Sequence, residues 1–375
     1  MTQEIYDDYR PYTDEEVPAA IERIADNVLF SEIVKYAFPL KCVNEFVAEF
    51  KRIRTVTEFQ EKVMSLAIDS IVKKTIDNLT YSGLENMSND HPCMQISNHR
   101  DIVLDSAILE LILHRNGLNT SEITFGSNLM KPQLVVDIGK LNKMFKIIRG
   151  GSPREFLANS LNVSEYMRYA ITEKHQSTWI AQRNGRTKDG NDQTEIAVLK
   201  MFAMSSKQPF VENLAELNIT PIAVSYEREP CDFMKTREIY LTRKSGKYEK
   251  QAGEDLLSIL HGIKQYKGDM NLTVCKPVTQ EELIECDALP HKDKFKHLAL
   301  IIDKKIYEGY RLFKTNYLAH DLRENKTEYG DLYTKTDSKR FVDYMEQGLS
   351  LIEGDKDELR DIFLGIYANP VNSSK

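Results

Sequence analysis

CMQISNHRDIVLDSAILELILHR, residues 93–115, changes texture in its middle. Five residues of strand length and apolar character come first, and after a few polar residues a long apolar segment runs on to Arg115. A strand that gives way to a helix through a short polar junction is the building unit of an α/β sheet. The same alternation continues downstream. EITFGS is a short apolar run; FKIIR leads into the helical PREFLANSLNVSEYMRYAITEK, and STWIAQ into TEIAVLKMFAMS. ITPIAVSY is followed by EIYLT as another short apolar run, and the helix EDLLSILHGIKQY by the strand NLTVCKPV. The pattern predicts an α/β fold, a central mixed sheet flanked by helices.

Upstream of this stretch, from Glu15 to about Asn78, apolar residues recur three and four apart, as in FQEKVMSLAIDSIVKKTIDNL, and predict helices with no strand among them. The polar cluster YSGLENMSNDHP reads as a loop and sets a boundary between Ser82 and Pro92. Downstream, the chain is helical again from His291 to about Tyr367. The expected organisation is a helical N-terminal region over 1–85, an α/β domain over 86–286 and a helical C-terminal region over 287–375. Neither an internal repeat nor a low-complexity tract interrupts it.

With 375 residues and 41% hydrophobic content, the chain can bury a sizeable core. Its net charge of −7 argues against a surface built for nucleic acid, so an anionic ligand would need a local basic pocket. Cys42, Cys93, Cys231, Cys275 and Cys286 lie far apart with no CxxC pair, which fits a reducing cytoplasm. The acidic start MTQEIYDDYRPYTDEE lacks an apolar core segment, so neither a signal peptide nor a presequence is expected. No apolar stretch approaches the roughly 18 residues of a membrane span, since even 107–113 is interrupted by Glu110. A cytoplasmic protein is expected, with peripheral contact at most on the inner face of a membrane, and no single amphipathic helix demands that contact.

His99, in SNHRDIVLD (97–105), falls at a strand-to-helix junction, where side chains commonly line a site at the end of a sheet. A carboxylate can fix the tautomer of such a histidine and stabilise the imidazolium formed when it accepts a proton. Asp101 and Asp105 are both near enough to serve; the plainer alternative makes His99 a loop residue and Asp101 a helix cap. In MFKIIRGGSPRE (144–155), Arg149 ends an apolar strand, and Gly150 and Gly151 permit close backbone approach. The capping-box spacing of Ser152 and Glu155, with Pro153 between, starts a helix whose free amides favour an anion. A tight turn with a solvated arginine is the alternative there. WIAQRNGRTKDG (179–190) places Arg186 and Lys188 after another apolar strand, where a solvated basic loop is the alternative. NITPIAVSYERE (218–229) has Pro221 near its start and a tyrosine at its end, and reads equally well as an ordinary buried strand.

These four blocks, in this order over 94–229, resemble the motifs of the glycerolipid acyltransferases of the glycerol-3-phosphate / dihydroxyacetone-phosphate type. Asn98, His99, Arg100 and Asp105 look like the family's NHRS or CHRS string and its following aspartate, with one more residue between His and Asp than the family has. Arg149 matches the arginine that contacts the acceptor phosphate in the family. Gly185 and Arg186 match part of Glu-Gly-x-Arg, with Asn184 standing where the family has its glutamate. NLTVCKPVTQEEL is similar to a strand that many members place after the fourth block. The resemblance implies that His99, oriented by Asp105 or by Asp101, takes a proton from an acceptor hydroxyl. That hydroxyl then attacks the thioester of an acyl-CoA or an acyl-carrier protein, with no nucleophilic Ser or Cys and no cofactor. Arg149 and Arg186, with Lys188 as a further cation, would bind the phosphate of a phosphorylated glycerol in phospholipid synthesis.

A kinase reading rests on His99-Arg100-Asp101 and fails on its surroundings. Ser106 stands where the catalytic loop needs its metal-holding Asn, and neither G-x-G-x-x-G upstream nor DFG downstream is present. His291 and His297 miss the spacing of a helical zinc pair. A non-catalytic lipid-binding or carrier-protein-binding module on the same fold remains, motivated by the absent glutamate of the third block.

Overall fold

A computed structural model describes residues 6–148, 150–251 and 253–375. Among them, seven strands form one sheet: β1 (Ile76–Ser82), β2 (Met94–Ser97), β3 (Glu122–Gly126), β4 (Met144–Ile147), β5 (Thr178–Ala181), β6 (Thr220–Tyr226) and β7 (Gly268–Val274). Their order is β1-β7-β6-β2-β5-β3-β4. Every neighbouring pair is parallel except β6 and β7, which run antiparallel with Ile222 opposite Val274 and Tyr226 opposite Met270. The fold is α/β with a mixed sheet and helices on both faces, as the alternation predicts.

The period-two pattern of the strands sorts side chains to two cores. Ile96, Ile180 and Ala223 face one layer of helices, Pro153–Thr172, Ile196–Ala203 and His291–Glu308. Trp179, Ile222, Val224 and Leu272 face the other, made by Ser65–Thr75 and Leu104–Arg115. The N-terminal helices close on a third cluster around Phe46, Phe50 and Phe59. The helices from Lys314 onward close on a fourth around Phe341, Phe363 and Tyr367.

Two local expectations are corrected. The helical reading to Asn78 ends at Thr75, because Ile76–Ser82 is the edge strand β1. Its cross-strand contacts are polar, Asn78 Nδ2 to Asp269 Oδ1 at 2.7 Å and Thr80 Oγ1 to Asn271 Oδ1 at 2.8 Å, so no apolar alternation announces it. EIYLT is not a strand but the middle of the helix Asp232–Ser245. Strong helix formers surround it, and Gly246 at φ +73° supplies a left-handed stop.

The helix Leu104–Arg115 carries the site and has no polar face: Leu104, Ile108, Leu109, Leu111, Ile112 and Leu113 are all buried. Glu110 is buried with them. Its Oε2 accepts from the Ser121 amide at 2.7 Å, while Oε1 has no protein partner. Burial pushes this carboxyl from 4.5 up to about 8. Folded Glu110 therefore keeps a proton that the unfolded chain releases, so its contribution to stability is complete below pH 4.5 and is lost as the pH rises through about 8. Each pH unit between the two values corresponds to about 1.4 kcal/mol. Urea unfolding should show wild-type stability falling between pH 5 and 8, and Glu110→Gln, which keeps the acceptor for Ser121, should flatten that fall. Equal slopes in the two proteins would assign the proton elsewhere.

Candidate active site

The parallel strands β2, β5, β3, β4 and β6 end on the same side of the sheet, and the polar junction after β2 lies there. His99 is 12% exposed, and its Nδ1 is 2.9 Å from Oδ2 of Asp105 in the first turn of the helix Leu104–Arg115. The same oxygen accepts from the amides of Arg100 (2.6 Å) and Asp101 (2.9 Å), and Oδ1 accepts from the Tyr226 hydroxyl at 2.8 Å. Burial, and then the charge of Asp105, hold the Tyr226 phenol well above its ordinary value, so it is a neutral donor at any physiological pH. The His99 ring meets Trp179 edge to face, with centroids 5.6 Å apart.

Asp101 takes a different part. Its Oδ1 accepts from the amides of Val103 and Leu104, both at 2.9 Å, and so braces the turn that leads into the helix, while Oδ2 is buried without a partner. The residues 100–104 between His99 and Asp105 are accommodated in this turn. Asp105 can still reach back to His99 because two loop amides hold the same carboxylate.

Arg100 points inward. Its Nε and Nη2 donate to Oδ2 of Asp192 at 3.0 and 2.6 Å, and Nη1 donates to Glu229 Oε2 at 3.1 Å. Lys235, also buried, donates to Glu229 Oε1 (2.6 Å) and to the Arg100 carbonyl (2.7 Å). Asn98 joins Asp192 at 2.9 Å and exchanges hydrogen bonds with the Val224 backbone at 2.8 and 3.0 Å. Tyr310 donates to the same Asp192 oxygen, and the Glu229 amide donates to the Tyr367 hydroxyl at 3.1 Å. Burial alone would raise the Asp192 carboxyl, but the Arg100 charge and these donors hold it below the ordinary aspartate value.

The loop after β5 lies against the His99 loop, with the Thr187 amide donating to the His99 carbonyl at 2.8 Å. Next to it, Arg186 is buried beside the Cys231 thiol, and its Nη1 has no protein partner. The side-chain amide of Gln182 and Nε of Arg183 are also buried without partners. Lys188 is engaged with Glu238. Asn184, in the position of the family's glutamate, is exposed, and its amide donates to Glu195 Oε2 at 3.2 Å. Arg149 lies outside the described residues. Beyond it, the capping box expected of Ser152 and Glu155 is formed, starting the helix Pro153–Thr172.

The structure thus gathers His99, Asp105 and Arg186 around one loop pair. The sequence reading did not single out Tyr226 as a partner of Asp105, nor Asp192, Glu229, Lys235 and Tyr310. Tyr226 and Glu229 stood within the fourth block and could have been tied to His99 through it. Asp192 and Tyr310 carry no local signal, since they meet Arg100 from 92 and 210 residues away in the sequence.

No family model matches the chain. It is 24% identical over 258 residues to a glycerol-3-phosphate acyltransferase of Pseudomonas fluorescens strain Pf0-1, covering 66% of this chain and 28% of that protein. The glycerol-3-phosphate acyltransferase of strain SBW25 is 23% identical over 285 residues, 72% of this chain and 31% of its own length. That of Ectopseudomonas mendocina strain ymp is 24% identical over 256 residues, 66% of this chain and 28% of its own length. The alignments therefore span less than a third of these curated relatives. Among solved structures, the 1-acyl-sn-glycerophosphate acyltransferase PlsC of Thermotoga maritima superposes with a TM-score of 0.40 at 12% identity, over 78% of this chain and 94% of that one.

The pairing of Arg100 makes a direct prediction. Arg100→Met would leave Asp192 and Glu229 short of their shared buried cation, at a cost of about 3–5 kcal/mol. Urea denaturation should show that loss, and a change within about 0.5 kcal/mol, the scale of an ordinary surface substitution, would mean the network is dispensable.

Proposed function

We propose that this chain, which is related to the glycerolipid acyltransferases, works as one of them. In this reading it moves a fatty acyl group from an acyl-CoA or an acyl-carrier protein to the hydroxyl of glycerol-3-phosphate or a related phosphorylated glycerol, in phospholipid synthesis. The observation that carries the reading is the His99 ring with Nδ1 held 2.9 Å from Asp105. With Nδ1–H given to the carboxylate, the lone pair of Nε2 is left to take the acceptor's hydroxyl proton. The hydroxyl oxygen bonds to the thioester carbon, and the carbonyl electron pair moves onto oxygen. Collapse of that tetrahedral intermediate breaks the C–S bond, and the departing thiolate takes the proton from the imidazolium. Asp105 stabilises the imidazolium meanwhile, and no covalent enzyme intermediate is formed.

General-base action of this kind is worth about 100- to 10,000-fold, with positioning and oxyanion stabilisation supplying the rest. Arg186 supports the acceptor side of the reading, because its Nη1 is a buried donor without a protein partner beside the His99 loop. Arg149 is proposed as the second clamp on the phosphate, and Lys188 would join them on leaving Glu238. We place the reaction in the cytoplasm, at the membrane's inner face.

Thiol release from palmitoyl-CoA and from a palmitoyl carrier protein, with and without glycerol-3-phosphate, tests the reading. Release should depend on the acceptor and fall by about 100- to 10,000-fold in His99→Ala. Equal release by the variant, or none with any phosphorylated glycerol, would favour the non-catalytic module that Asn184 motivates. Arg186→Ala should raise the KM for the acceptor by about tenfold or more, the worth of a hydrogen bond to a charged group. An unchanged KM would remove Arg186 from the phosphate site.

A further inference from the structure

The loop 182–195, which carries Arg186 and Lys188, is held from two sides. On the sheet side, the Thr187 amide donates to the His99 carbonyl, and Asp192 meets Asn98 and Arg100. The other side is supplied by the C-terminal helices, from residues 109 and 180 positions further along the chain. Asp303, in the helix His291–Glu308, accepts from the Thr194 amide at 2.8 Å and from its hydroxyl at 2.6 Å. Asn369, in the helix Lys356–Ser373, donates from Nδ2 to the Asp189 carbonyl at 2.7 Å. Gly190, at φ +76°, lies so close to the same helix that a Cβ on it would stand 2.1 Å from the Ile366 carbonyl oxygen.

The Asn369 amide is aimed. Nη1 of Arg323 donates to its Oδ1 at 3.1 Å, which takes the acceptor end and turns the NH2 toward Asp189. Arg323 is itself held by Asp361 at 2.9 Å, and Gly365 makes room for it, since a Cβ there would stand 3.3 Å from Nη1. Gly190 answers two demands at once. A left-handed backbone is open to glycine, and the space of a side chain is filled by a backbone carbonyl that cannot turn aside. A loop that had only to reverse direction would make the first demand and not the second. Both contacts fall within four residues of Arg186 and two of Lys188. Nη1 of Arg186 is a buried donor without a protein partner, so what it can bind depends on where its loop is held. Asp189 is exposed, so its bond to Asn369 can be removed without leaving a buried group unpaired.

We propose that the helix Lys356–Ser373 is a clamp on the acceptor-binding loop, with Asn369 and the Gly190–Ile366 contact as the positioning elements that hold Arg186 and Lys188 for a phosphate ester of glycerol. The proposal rests on the acyl-transfer reading for that ligand and on the contacts of the loop for the clamp. Asn369→Asp keeps the acceptor for Arg323 and removes the donor to Asp189; Gly190→Ala drives the loop off the helix. Affinity for the ligand falls with the fraction of molecules in which the loop is held. Titration calorimetry with glycerol-3-phosphate should show binding about three- to tenfold weaker in Asn369→Asp, the worth of one hydrogen bond, and at least about tenfold weaker in Gly190→Ala. Amide hydrogen exchange over 183–195 should quicken in both variants and stay as in wild type over the helix Leu104–Arg115. In acyl transfer the KM for glycerol-3-phosphate should rise in step with the loss of binding, while kcat and the KM for palmitoyl-CoA stay within about twofold. Lys339→Ala, which breaks an exposed C-terminal ion pair with Asp343, should bind as wild type does. Asn369→Asp serves alone if Gly190→Ala does not fold, which its melting temperature reports.

Unchanged affinity in the variants that fold would overturn the proposal. So would a fall in kcat with the acceptor KM unchanged, since the clamp would then serve His99 through Thr187 and not the phosphate. Wild type that binds no phosphorylated glycerol would overturn it as well. Wild type that binds glycerol-3-phosphate more tightly than the variants do, yet releases no thiol, would sustain the clamp and sink the acyl transfer.

Discussion

Two buried cations, Arg100 and Lys235, and two buried carboxylates, Asp192 and Glu229, form the constraint on which the arrangement of the chain turns. Such charges are tolerated away from water only when each has partners, and leaving one unpaired costs more than the pair contributes. The partners come from separate parts of the sequence. Arg100 follows β2, Asp192 lies in the loop after β5, Glu229 follows β6 and Lys235 lies in the helix Asp232–Ser245. Tyr310 and Tyr367 bring in the C-terminal helices. The C-terminal region carries no chemistry of its own in this scheme. Its hydroxyls complete a network that begins one residue after His99.

That network also shapes the loop from behind. Arg100 is held by its side chain to Asp192 and by its carbonyl to Lys235, and its amide is then free to donate to Asp105. Asp105 thereby receives four donors: two loop amides, His99 Nδ1 and Tyr226. A carboxylate with both oxygens filled has one orientation, and it fixes the imidazole on one side. The loop is held by its neighbours, so histidine and aspartate meet although the residues 100–104 stand between them. Asp101 braces the turn before the helix instead, through the amides of Val103 and Leu104.

Much of this was legible where the information is local. CMQIS, STWIAQ and ITPIAVSY are largely apolar runs of strand length and became β2, β5 and β6, because central strands covered on both faces bury side chains on both. The edge strand β1 was not legible, since one side of its backbone needs no partner and only Ile76 and Leu79 reach the core, while Asn78 and Thr80 meet Asp269 and Asn271. Strand order was not legible either, for β7 lies between β1 and β6 by pairings that no window of the sequence contains. In the candidate site the same division holds. His99, Asp101 and Asp105 sit in one short string, and Arg186 in another, whereas Asp192, Tyr226 and Tyr310 become partners only when the chain is folded.

The helices Leu104–Arg115 and Glu254–Lys264 show why periodicity reads packing and not position. The first is apolar nearly all round because helices and sheet cover every side of it, so even Glu110 goes in and keeps its proton. The second has its leucines on the wrong side for a helix resting on a protein core, because the surface beneath it is the loop of the site, where Asp101 leaves room only for Gly262. A hydrophobic stripe says that a helix has an apolar neighbour and not which neighbour it is. For Leu104–Arg115 the neighbour is the rest of the chain, and for Glu254–Lys264 the chain covers Ile263 but leaves Leu256, Leu257 and Leu260 exposed.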